Sequence, residues 1–84
     1  IVNGLNLEVP TIKLAEKVKK TDTPIVHLAN ETLPEEEWQY DFSFPKEQGN
    51  PNPHLWPNIA LTIRYAALIR DRLSEYDPRH ADLY

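Results

Sequence analysis

The chain has 84 residues, with 9 basic and 13 acidic side chains, 3 histidines and no cysteine or methionine. That length supports one modest core but not two domains, and without cysteine there is neither a disulfide framework nor a thiolate metal site. A formal charge of −4 argues against nucleic acid, because nothing is massed to neutralise phosphates.

The longest apolar run is five residues, Tyr65 to Ile69. A membrane-spanning helix needs about 20, so no transmembrane segment is expected. A start at Ile1-Val2 without methionine is expected of a chain processed or cut from a longer one.

Ile1-Val2 reads as the end of a strand, stopped by Asn3-Gly4, a dipeptide suited to a turn with positive φ. Pro10 then stands where a first helical turn tolerates it. Ile12, Ala15 and Val18 recur at spacing three, with Leu14 and Val18 at spacing four, which predicts a helix near 10–20. Its lysines, Lys17, Lys19 and Lys20, suit the negative end of the helix dipole and form a solvated face. After the break at Thr21-Asp22-Thr23, the mostly apolar stretch Pro24 to Ala29 predicts a short strand near 24–29. Strand, helix and strand in that order predict an α/β fold.

Residues 30–58 are rich in proline and acid, and read as a long ordered loop with one helical turn near Pro34 to Trp38. Loops of that length inside a compact domain tend to be functional or disordered. Trp38, Tyr40, Phe42, Phe44 and Trp56 argue against disorder, since disordered chains are poor in aromatics. Beyond it, Ile59, Ile63, Ala66, Ile69, Leu73 and Tyr76 mark a helix near 58–76, roughly 28 Å long. Asn58 can cap its start, and Asp77-Pro78 opens a further helix that the chain leaves after a few residues.

No nucleophile-and-base set stands out, and the two glycines lie too far apart for a phosphate loop, so no enzyme is expected. Glu35-Glu36-Glu37 beside a proline reads as a helix N-terminus. Acid–base chemistry instead needs carboxylates in separated, differently solvated places. His27 in the strand reads as structural, and His80 as exposed. His54 is the candidate metal ligand. It stands in Asn50-Pro51-Asn52-Pro53-His54-Leu55-Trp56-Pro57, with prolines on both sides to restrict the backbone that carries it. A structural histidine packed beside Trp56 is the competing reading of the same residues.

Asn52-Pro53-His54-Leu55-Trp56, the helix with Ile63-Arg64-Tyr65-Ala66, and the closing Asp77-Pro78 resemble the metal-specific solute-binding proteins of bacterial ABC transporters. Asn3-Gly4-Leu5-Asn6-Leu7-Glu8 is similar to the Asn-Gly segment of that family's N-terminal lobe. The resemblance implies that residues 1–84 are part of the N-terminal lobe of a two-lobe, Rossmann-like receptor, with 78–84 starting the helix that links the lobes. It implies that His54 ligates a divalent ion, zinc or manganese, whose other ligands lie outside this chain. It further implies an ABC permease as partner and a location in the periplasm or at the cell surface, with a lipid anchor where an N-terminus carries one. Many members follow the tryptophan with an apolar residue and then Asp-Pro. Here Pro57-Asn58-Ile59 stand instead, so the helix is expected to be capped differently. A fragment of such a lobe exposes sheet edges, from which self-association is expected. The alternative is an interaction or adhesion module that uses the aromatic, acidic loop 30–58, with His54 structural.

Overall fold

A computed structural model describes residues 1–84. Three α-helices carry the fold: α1 (Val9–Val18), α2 (Leu28–Thr32) and α3 (Ile59–Tyr76). Short 3-10 turns occupy Glu35–Glu37, Lys46–Gln48 and Pro78–Leu83.

The helix expected near 10–20 forms as α1, with Pro10 in its first turn. Glu8 precedes it, but the Glu8 carboxylate turns away from the helix and accepts the backbone N–H groups of Asn3 and Gly4. The helix expected near 58–76 forms as α3, and the Asn58 side chain accepts the Leu61 N–H at 3.2 Å. That bond satisfies one of the donors a helix start leaves free. The helical turn expected near 34–38 appears as the 3-10 turn at Glu35–Glu37.

The expected strand over 24–29 does not form, and with it the α/β expectation is not met. What remains is one parallel bridge between Val2 and His27. The Val2 N–H donates to the Val26 carbonyl at 2.9 Å, and the Leu28 N–H to the Val2 carbonyl at 3.0 Å. The physical reason is local. Pro24 has no N–H to offer a ladder. Leu28, Ala29 and Glu31 favour a helix, and the backbone turns into α2 directly after His27. With no neighbour on the other side, a single bridge cannot extend into a sheet. The sheet edges expected to drive self-association are therefore absent, and exposed apolar side chains stand in their place.

The core is thin. It consists of Leu5, Val26, Leu28, Ala29, Leu33, Leu55 and Tyr65, with Trp38, Leu61, Leu68 and Ile69 packed against it. Ala29 is fully enclosed where α2 meets α3. The apolar stripe of α3 is only partly used, since Ile59 and Ile63 remain 78% and 65% exposed. The radius of gyration is 14.4 Å, against about 12 Å for a compact domain of this length.

Pro78–Leu83 forms a 3-10 turn rather than the opening of an α-helix, and the backbone kinks at His80. Asp77 fastens it: its carboxylate lies 2.6 Å from His80 Nδ1 and accepts the Tyr84 hydroxyl at 3.0 Å.

Candidate metal centre

The segment around His54 is positioned by the start of the chain. Gly4, Leu5 and Asn6 all take positive φ, at 89°, 48° and 62°, forming the turn expected of Asn3-Gly4. A Cβ on Gly4 would sit 2.3 Å from Asn30 Oδ1, so glycine is required there for space as well as for φ. Asn30 Oδ1 in turn accepts the Leu5 N–H at 3.0 Å, tying the turn to α2. Asn3 sits at the centre of this arrangement. Its Nδ2 donates to the Pro53 carbonyl at 3.0 Å, and its Oδ1 accepts the Tyr65 hydroxyl at 3.0 Å. Asn6 adds a second tie, donating to Asn50 Oδ1 at 2.9 Å. The Asn-Gly turn, the Pro-His segment and α3 are thereby joined at one point.

Within the segment, Pro51, Pro53 and Leu55 are buried, while His54 and Trp56 face outward. The alternation keeps the backbone anchored and the imidazole accessible. The His54 ring meets Trp56 edge-on at 5.0 Å between centroids, and Phe44 lies 5.8 Å away at a tilt. Asn52 Oδ1 accepts the His54 backbone N–H at 3.0 Å and lies 2.9 Å from His54 Nδ1. Asn52 Nδ2 donates to Asp41 Oδ2 at 2.7 Å. Asp41 is held by its own turn, its Oδ1 accepting the Ser43 and Phe44 N–H groups at 2.8 and 3.1 Å. The Asn52 amide, supported by those two N–H groups and by His54, holds the Asp41 carboxyl below its ordinary range despite the opposing desolvation.

His54 thus stands exposed with Nδ1 engaged and no hydrogen-bond partner on Nε2. A neutral imidazole nitrogen suits zinc or manganese, but either ion needs several donors. The chain nowhere gathers three or more His, Asp or Glu side chains that could hold an ion. His27 is half-buried at the start of α2, and His80 is exposed and paired to Asp77. Glu35, Glu36 and Glu37 are exposed and make up a 3-10 turn that ends at the extended Trp38, so the helix start expected there has no helix behind it.

The side-chain bonds of Asn3, Asn52 and Asp41 around His54 emerge only in the folded chain. Asn52 carried a usable signal, because asparagine two residues ahead of a backbone N–H readily closes an Asx turn. Asp41 and Asn3 carried none, since their partners lie 11 and 50 or more residues away.

The site is thus an exposed imidazole on a proline-anchored segment. Comparison with known proteins gives the family of the chain. The sequence profile of the family described as "Zinc-uptake complex component A periplasmic" (ZnuA) matches residues 1–84. The chain belongs to that family, which comprises substrate-binding transport proteins and not enzymes. It is 34% identical over 82 residues to the iron-binding protein YfeA of Yersinia pestis, covering 98% of this chain and 24% of that protein. It is 32% identical over 83 residues to the manganese-binding lipoprotein MntA of Halalkalibacterium halodurans, covering 99% of this chain and 24% of the relative. A third relative is the metal ABC transporter substrate-binding lipoprotein ScbA of Streptococcus cristatus, 33% identical over 89 residues, with 98% and 26% covered. The chain therefore spans about a quarter of the length of the curated relatives it matches. No solved structure matches it significantly. No helix is long and apolar enough to cross a membrane.

Proposed function

We propose that these residues form part of the N-terminal lobe of a two-lobe receptor that captures a divalent transition-metal ion outside the cytoplasmic membrane. The receptor delivers the ion to an ABC permease, and residues 78–84 lead into the connection between the lobes. His54 supplies one ligand through Nε2. The observation that carries this reading is the exposed His54 ring, with Nδ1 occupied by Asn52 and Nε2 unpartnered on an anchored segment. The family is described as periplasmic and two of the relatives as lipoproteins, which supports an extracytoplasmic location. Zinc or manganese is the proposed cargo. The family description names zinc, and the relatives' names include manganese and, in one case, iron.

The test is calorimetric titration of the metal-stripped full-length protein with zinc and with manganese. His54→Ala should weaken the tighter-bound ion by at least about 100-fold, since losing a ligand exceeds the 10–100-fold typical of losing its supporting partner. An unchanged affinity overturns the assignment.

A second reading has one observation in its favour. Phe42 is fully exposed at the tip of the acidic loop, held there by the Asp41–Phe44 turn. An interaction module would present such a residue. It would also pack and bond His54 on both ring nitrogens, whereas here the ring is exposed and engaged only at Nδ1.

A further inference from the structure

The orientation of the Asn52 amide follows from its neighbours alone. On one side stands the His54 backbone N–H, which can only donate, at 3.0 Å. On the other stands the Asp41 carboxylate, which when ionised can only accept, at 2.7 Å. Asn52 must therefore turn its oxygen toward His54 and its NH2 toward Asp41. That oxygen also lies 2.9 Å from His54 Nδ1. An amide oxygen has no proton to give, so the hydrogen on this contact belongs to Nδ1. A neutral imidazole carries one N–H, and its lone pair is then on Nε2.

Resting on the metal-receptor reading above, we propose that Asn52, backed by Asp41, is a positioning residue that fixes His54 in its Nδ1–H tautomer and presents Nε2 to the metal. The arrangement is anchored at both ends. Buried Pro51 and Pro53 flank Asn52, and its own N–H donates to the Gln39 carbonyl at 2.8 Å. Asp41 is fixed by two backbone N–H groups of its turn. A side-chain chain that runs carboxylate, amide, imidazole removes the choice between ring nitrogens that a free histidine would make, and also restricts rotation of the ring.

The experiment is nitrogen-15 NMR of the ring nitrogens of His54 in the metal-free full-length protein, followed to high pH until the signals no longer change. Wild type should show a protonated Nδ1 and an unprotonated Nε2. Asn52→Leu should abolish that preference, and Asp41→Asn should weaken it. In parallel, Asn52→Leu should lower metal affinity about 10–100-fold. A wild-type ring mainly protonated on Nε2 overturns the proposal without recourse to any variant. So does a preference that survives Asn52→Leu, or a metal affinity that Asn52→Leu leaves unchanged. Because the tautomer is read without metal, its failure is distinct from failure of the receptor reading, which shows as a His54→Ala protein that still binds the ion.

Discussion

The Tyr65 hydroxyl donates to Asn3 Oδ1 at 3.0 Å, across 62 residues of sequence. This bond joins the middle of α3 to the turn at the start of the chain. Asn3 passes the constraint on through Nδ2 to the Pro53 carbonyl, one residue before His54. Tyr65 is the one buried residue of α3, so its ring fills the core while its hydroxyl sets the position of the candidate metal ligand.

Tyr65→Phe keeps the ring and removes the bond. Stability should fall by about 1 kcal/mol, measured by urea denaturation. The pH dependence gives a second readout. Burial, with the nearby Glu8 carboxylate acting in the same direction, raises the Tyr65 ionisation above its ordinary 10.0. The folded protein thus holds the proton more tightly than the unfolded chain. The contribution is complete below pH 10 and is lost as pH climbs through the raised value. Wild type should lose more stability than Tyr65→Phe as pH rises above 10.

The two glycines should respond differently to alanine. Both have positive φ, but an added Cβ at Gly4 meets Asn30 Oδ1 at 2.3 Å, whereas Gly49 has open space around it. Gly49→Ala should cost only the conformational strain, about 1 kcal/mol. Gly4→Ala should cost about 2–3 kcal/mol, because it also displaces the side chain that holds the Leu5 N–H. Paired denaturation curves test the order, and equal losses would contradict the crowding at Gly4.

Asn58→Ala should destabilise the protein by about 1 kcal/mol through loss of the cap on α3. Asn58→Asp should retain most of the stability, since a carboxylate oxygen accepts the same N–H and favours the positive end of the helix. Thermal melts of the two variants against wild type check this.

Residues 1–84 alone should not bind zinc or manganese stoichiometrically below micromolar concentration, because His54 is joined by no second and third ligand. Titration of the 84-residue chain after chelator treatment measures it. Sub-micromolar, one-to-one binding that His54→Ala abolishes in this chain as a monomer would refute the claim.

The sequence by itself determined the local features. Helix α3 and its Asn58 cap, α1 with Pro10 in its first turn, and the positive-φ turn at Gly4 were all legible, because periodicity, capping and φ preference act over a few residues. The Asn52–Trp56 motif likewise pointed to the family, since a sequence pattern carries that resemblance by itself. Tertiary structure decided the rest. Pro24 to Ala29 looked like a strand, yet a strand exists only where neighbours complete its ladder, and Val2 alone supplies one bridge. The periodicity of α3 marks a helix, but Ile59, Ile63 and Tyr76 of its stripe stay exposed, and the face that is covered, centred on Tyr65, depended on α2 and the opening turn arriving beside it. The environment of His54 depended on contacts from Asp41 and Asn3, whose separation along the chain leaves no periodic trace. Helical periodicity is written in neighbouring residues, whereas a hydrogen bond spanning 62 residues is decided only when the chain closes on itself.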